Sequence, residues 1–366
     1  MSNVVSTVPK PDSAGTFLRL GAVAIVVAAV VGTFLCLGGW FSPHKLTPSR
    51  LTDGFEQANG IHSGFRRNHA KGVCVTGVFE SNGRGVRLSK AEIFQSGRVP
   101  VIGRFSLGGG NPYVTDSPDA VLALALQFTQ PDGEQWRTAM INLPVFPFKD
   151  PQSFYDNMVA GIPDPNTHKP DPEKIKAFLA AHPETVRAIG MIKSHPVPAG
   201  FDTSAYYGLN AFRFIDANGS ATPVRWHLQP LQPFAAADST APHTNKNYLF
   251  DGVIAAIHQH PLQWRLILVI GQPGDPTSDA SSPWPENREQ LDVGTLTLDT
   301  VESEESSPTR DVNFDPLVLP SGIAPSDDPL LSARSAVYSQ SFTRRAGEKK
   351  DPSAITPADV AQGSSR

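Results

Sequence analysis

Residues 66–80 read R-R-N-H-A-K-G-V-C-V-T-G-V-F-E. After His69 the side chains alternate, with Val73, Val75 and Gly77 on one face and Cys74, Thr76 and Val78 on the other, which is the period of a β-strand. A histidine just before a strand that enters a core can be held rigidly with one ring edge toward a pocket. General-base chemistry needs that rigidity. A lone histidine at a strand edge is more often structural, so these fifteen residues do not decide the chemistry by themselves.

Outward from this segment, strand patterns accumulate. Val101–Leu107 is followed by a Gly108-Gly109-Gly110-Asn111-Pro112 turn, and Leu122–Thr129 by a Pro131-Asp132-Gly133 turn and a strand at Trp136–Asn142. Consecutive strands joined by tight turns predict an antiparallel sheet or barrel. Pro151–Ala160 and Asp171–Ile192 read as helices, the second with Pro172 in its first turn. Tyr206–Ile215 and Thr222–Leu228 form a hairpin around Asn218-Gly219. Phe250–His258 reads as helix, and Trp264–Ile270 and Val293–Thr300 as strands. Between those strands, residues 271–290 form a Pro-, Asp- and Ser-rich loop long enough to wrap the body. A last helix is predicted from Pro329 to about Arg344. The fold class is α+β: an antiparallel β-barrel core with surrounding helices and a wrapping loop, over residues 42–345. Residues 346–366 read as a polar, disordered tail.

Upstream of the core lies a different kind of sequence. Residues 1–15 form a short polar tail. Leu20–Leu37 then runs without a charge, flanked by Phe17, Leu18, Trp40 and Phe41. With its flanks it reaches the roughly 20 residues that cross a bilayer as helix, and the aromatic residues suit an interfacial belt. Residues 16–41 read as an uncleaved signal anchor, because a cleaved signal has a shorter apolar region and a small-x-small site that G-G-W-F-S-P does not offer. Lys10 and Arg19 before it and Lys45 and Arg50 after it nearly balance, so charge sets its orientation weakly. A linker follows, with a helical patch at Leu51–Asn59 capped by Thr52 or Asp53.

Composition narrows the function. The 366 residues carry a net charge of −4, and no basic stripe is present to neutralise phosphates, which excludes a nucleic-acid partner. Thirty-four prolines and 30 glycines favour short strands and long loops over regular helix. The two cysteines, Cys36 and Cys74, make no disulfide framework.

The ordered set of motifs resembles the haem-dependent catalase superfamily, in particular its small catalase-related peroxidases. R-x-x-H-A-K-G with G-x-F-E (Arg66 to Glu80) resembles the distal-histidine motif. R-F-S (Arg104 to Ser106) resembles the segment with a serine behind that histidine and an arginine for the haem. N-x-P-x-F (Asn142, Pro144, Phe146) with Lys149-Asp150-Pro151 resembles the distal-asparagine segment. F-R-F, N-G and W-H (Phe212–Phe214, Asn218-Gly219, Trp226-His227) resemble a hairpin beneath the haem. The run from Phe314 to Tyr338, with R-x-x-x-Y at its end, resembles the proximal helix.

This resemblance implies a b-type haem with Tyr338 as the axial iron ligand. A free phenol ionises near pH 10 and binds ferric iron as phenolate; Arg334, one helical turn earlier, would put a cation beside it. On the other face His69 would move the peroxide proton, Ser106 would fix its tautomer, and Asn142 would supply an amide dipole as the O–O bond cleaves. A ferryl intermediate would then be reduced by an organic donor, or by a second hydrogen peroxide in a true catalase. Arg66, Arg104 and Arg334 are candidates for the propionates and Phe146 for the haem wall, while Arg67 is left to face water. His227 reads equally as a family histidine or a satisfied core histidine.

The sequence departs from the family at Asn68, where a small apolar residue is usual, at Pro147 in place of a second phenylalanine, and at Cys74. It also lacks the long N-terminal arm and the helical C-terminal region of full catalases. The expectation is a membrane-anchored, extracytoplasmic peroxidase with a wide channel. It would be a monomer or small homo-oligomer acting on peroxide and a small organic donor. A catalase and a fatty-acid hydroperoxide isomerase are the alternatives on the same fold.

Overall fold

The computed structural model describes residues 13–37, 45–238 and 245–363. It divides into two units, residues 1–47 and 48–366. The first holds helix α1 (Ser13–Leu37), in which Gly15–Cys36 is a 22-residue run of mean hydropathy 2.3 with none of it buried. Residues 1–12 of the expected tail, Trp40 and Phe41 of the expected belt, and residues 42–44 of the linker lie outside the described residues.

The second unit begins with α2 (Pro48–Asn59) and is built on β1 (Gly72–Ser81), β2 (Gly97–Leu107), β3 (Leu122–Thr129) and β4 (Gln135–Ile141). Helices α3 (Pro151–Ala160), α4 (Pro172–Ala181) and α5 (Pro183–Lys193) follow. Then come β5 (Tyr206–Tyr207), β6 (Phe212–Ile215), β7 (Ala221–Pro230), α6 (Tyr248–Gln259), β8 (Leu262–Ile270) and β9 (Gln290–Glu302). The chain closes with β10 (Ile323–Pro325), α7 (Pro329–Ala346) and α8 (Pro357–Gly363). The sheet runs β7-β5-β4-β3-β2-β1-β9-β8, and β8 pairs back onto β7, so the strands close into an antiparallel barrel; β6 and β10 extend from β7. Closure leaves no open edge in the ring.

The pleat assigns each side chain to a face. One register row is Val73, Phe105, Leu124 and Met140, and the next is Val75, Gly103, Leu126 and Thr138; these point into the barrel. There they join an aromatic cluster in which Phe128 stacks on Trp136 at 5.2 Å and Trp226 meets Trp136 edge-on at 5.0 Å. The intervening row, Cys74, Arg104, Ala125 and Ala139, points outward. A bulge at Thr76/Gly77 keeps β1 paired with β9, and only glycine fits it: a Cβ at Gly77 would lie 1.9 Å from the Thr297 carbonyl oxygen.

Several expectations need correction. Helix α2 starts at Pro48, so Thr52 is not its cap; its hydroxyl donates to the Pro48 carbonyl inside the helix. The helix expected over 171–192 breaks at His182, because Pro183 opens α5 as a new first turn. Tyr206–Ile215 is two short strands, interrupted where Leu209 takes a φ of 66°. Residues 346–363 are no free tail: Ile355 is fully buried, Ser303 donates to its carbonyl at 2.6 Å, and α8 carries Val360 against the core. Its polar composition concealed a few apolar anchors. Arg67 does not face water either. It is buried between Glu56 and Glu348 and holds α2 to the chain beyond α7.

Candidate active site

Asp328 caps α7 by accepting from the Leu330 N–H at 2.9 Å, with Pro329 in the first turn. From that start, Ala333, Arg334, Val337, Tyr338, Ser341, Phe342 and Arg345 recur at helical spacing, so they share one face. That face lines a cavity of about 350 Å³. Much of the facing wall is the outward row of the barrel: Arg104 and Ser106 on β2, Ala123 and Ala125 on β3, Ala139 on β4. The alanines leave a flat floor beside the sheet. Phe146, Phe148 and Phe154 and, from α2, Phe55 add an aromatic side. Phe146 is fixed by its N–H, which donates to the Ala280 carbonyl of the wrapping loop at 3.0 Å.

His69 enters from the turn before β1 in a left-handed conformation, φ 55°, which costs a non-glycine residue and persists only when neighbours enforce it. Three groups do so. The Asn68 side-chain oxygen accepts from the His69 N–H at 3.0 Å and from the Gly109 N–H at 2.8 Å, and Arg104 donates to the His69 carbonyl at 2.7 Å. The Ser106 hydroxyl lies 3.5 Å from Nδ1, which leaves Nε2 for a ligand. Burial, then Arg104, Arg334 and Arg66, lower the His69 pKa to about 4, so the ring is neutral at pH 7.

One corner of the cavity is cationic. Glu304 is buried and accepts from Arg104 Nε at 2.7 Å, Arg104 Nη2 at 3.1 Å and Arg66 Nη1 at 3.1 Å. Burial opposes the Glu304 carboxylate, but Arg104, Arg66 and Arg310 outweigh it and hold its pKa below the usual range. Arg345 comes from α7 and donates to the Arg310 carbonyl at 2.9 Å. Burial, then Arg104 and Arg345, depress Arg66 to about 9; Arg345 falls to about 10, chiefly by burial. With Asp311 3.6 Å from Arg345, the arginines Arg66, Arg104, Arg310 and Arg345 outnumber the carboxylates Glu304 and Asp311, an excess of positive charge that suits the propionates of a haem. Gly72 gives Arg104 its room, since a Cβ there would sit 2.4 Å from the guanidinium carbon.

The other expected residues divide. Tyr338 lines the cavity, with the Arg334 guanidinium 5.9 Å from its ring centroid. Arg334 does not join the cationic corner. It donates to Asn210 at 2.5 Å and to the Ala139 carbonyl at 3.0 Å, and Asn210 in turn donates to Asp328. The Asn142 side-chain oxygen accepts from the Leu122 N–H at 3.0 Å at the end of the β3–β4 ladder, between the cavity residues Ile141 and Leu143, and its Nδ2 has no hydrogen-bond partner among the described residues. His227 is absent from the lining. It packs against Tyr207 at 5.5 Å, and burial lowers its pKa to about 4, as for a core histidine. Sequence reasoning missed Arg345 and Glu304. Arg345 was legible as the residue two helical turns beyond Tyr338; Glu304 carried no local signal.

The catalase family model matches residues 62–355. The chain is 35% identical over 323 residues to a catalase-related peroxidase of Synechococcus elongatus, covering 88% of this chain and 95% of that one. It is 34% identical to a catalase-related peroxidase of Mycolicibacterium paratuberculosis over 82% of this chain and 96% of that one. Among solved structures, a fungal catalase superposes with a TM-score of 0.70 at 19% identity, and catalase A of Saccharomyces cerevisiae with 0.70 at 20%. Each match covers 83% of this chain but only 64% and 66% of the respective catalase, just under two thirds, and at such identity the likeness speaks for the fold alone. With a family model spanning most of its length and relatives matched almost end to end, the chain belongs to the catalase family of haem-dependent enzymes, alongside the catalase-related peroxidases.

Proposed function

We propose that this protein is a membrane-anchored haem peroxidase that reduces hydrogen peroxide or organic peroxides with electrons from a small organic donor. The observation that carries the reading is that His69, from the turn before β1, and Tyr338, from α7, line one cavity with a cationic corner. When bound, the haem supplies the iron at which peroxide is cleaved and the oxidising equivalents are held. Tyr338 would hold its iron, and Arg334, immobilised by Asn210 and Ala139, would put positive charge near that ring, 5.9 Å from its centroid. Arg66, Arg104 and Arg345 would take the propionates.

His69 would do the proton work. Its ring is neutral, Nδ1 faces Ser106, and Nε2 accepts the proton from one peroxide oxygen and returns it to the departing one. The aromatic side formed by Phe55, Phe148 and Phe154 favours bulky organic partners over a channel for hydrogen peroxide alone. The length and hydropathy of helix α1 support an anchor; the haem domain would lie outside the cytoplasm, and protease accessibility in intact cells tests that placement.

Oxygen evolution from hydrogen peroxide, compared with dye oxidation driven by an alkyl hydroperoxide, tests the reading. Dye oxidation should dominate, whereas fast dismutation would make the protein a catalase. His69→Ala should keep its haem and lose turnover by a factor of about 10² to 10⁴; unchanged turnover would remove His69 from the mechanism. Tyr338→Phe should lose the phenolate-to-iron absorption and much of its haem.

A further inference from the structure

The residue before His69 does more than fill space. Asn68 lines the cavity, and its side-chain oxygen is held by two backbone N–H groups, those of His69 and Gly109. An amide is planar, so fixing the oxygen fixes the nitrogen. Among the described residues Nδ2 has no hydrogen-bond partner, which makes it the polar atom Asn68 can offer to a ligand. Asn210, which also lines the cavity, uses both ends of its amide, on Arg334 and Asp328.

We infer that Asn68 is a peroxide-binding residue, whose Nδ2 donates a hydrogen bond to an oxygen ligand held beside His69. The inference rests on the reading that the His69 side of the cavity is the peroxide side. The same side chain thus clamps the strained backbone of His69 and presents a donor next to the imidazole. A donor fixed before the ligand arrives stabilises developing negative charge without reorganisation. It also accounts for a polar residue at a position where the family resemblance leads one to expect a small apolar one.

Fluoride is a suitable probe, since it binds ferric haem and accepts hydrogen bonds but undergoes no turnover. Two variants of the full-length, haem-loaded protein separate donor from clamp. In Asn68→Thr a hydroxyl can still accept from the backbone, but it stops one bond short of the Nδ2 position and carries a methyl group instead of the amide. In Asn68→Val both functions are gone. Spectrophotometric titration should show fluoride affinity reduced about tenfold in both, the ratio that 1.4 kcal/mol represents, with the thermal midpoint of Asn68→Thr unchanged. Parental affinity in Asn68→Thr, whether or not Asn68→Val weakens, overturns the inference and leaves Asn68 as a clamp. A parent protein that takes up haemin but binds no fluoride would instead refute the reading of the His69 side as the ligand side.

Discussion

Glu304→Gln is the sharpest test of the cationic corner. Glu304 is 2% exposed and accepts three N–H bonds from Arg104 and Arg66, with Arg310 and Arg345 close enough to act on the same cluster. Glutamine keeps the shape but removes the charge, and its amide turns a donor toward a guanidinium. Removing one partner of a buried ion pair costs about 3–5 kcal/mol. At about 2 °C per kcal/mol for a large domain, the haem-free protein should melt about 6–10 °C lower. The haem-loaded protein should lose less, because propionates neutralise the same guanidiniums. By linkage, the difference between the two losses must appear as tighter haemin binding in the variant. The assays are thermal melts of both forms and a haemin titration. A loss below about 1 kcal/mol in the haem-free protein, or equal losses in both forms with unchanged haemin affinity, would refute the reasoning.

Two further perturbations follow from the site. For His69, a folded-state pKa of about 4 lies below the ordinary 6.5, so the stability it contributes is complete above pH 6.5 and is lost as pH falls toward 4. The maximum is about 3 kcal/mol, and His227 acts in the same window with the same sign. The rate of the peroxide step should stay level from pH 8 to about 5 and fall below that, and a stopped-flow inflection near pH 6.5 would contradict it. Gly72→Ala places a Cβ 2.4 Å from the Arg104 guanidinium and 2.5 Å from the Phe105 carbonyl oxygen. The strain should cost about 1–3 kcal/mol and lower the haem content on purification, read by the ratio of haem to protein absorbance; full haem retention would show that Arg104 has slack.

Peroxide chemistry was legible because its parts sit in short runs. The alternation in β1 to β3, the turn at Asn218-Gly219, and an Asp328-Pro329 start with Arg334 and Tyr338 one turn apart are local patterns, governed by the pleat and the helical repeat. The apolar run that becomes α1 belongs with them, since helix formation there depends only on neighbours along the chain. His69, Ser106 and Tyr338 therefore stood out as candidates before any contact was known, and all three line the cavity.

Other features depend on which surfaces meet. Glu304 looks like one acid among several between β9 and Phe314, and becomes the counterion of Arg66 and Arg104 only when barrel closure carries it there. Ile355 secures the polar C-terminal segment because the core offers it a site. Asn142 and Asn68 carry the same side chain, yet one oxygen closes a strand ladder and the other braces His69. The sequence by itself determined the elements, the anchor-like helix and the residue types of the site. Tertiary structure decided which polar groups face the cavity and which are consumed in building it, because a hydrogen-bond donor or acceptor has no assigned partner until distant segments are packed against it.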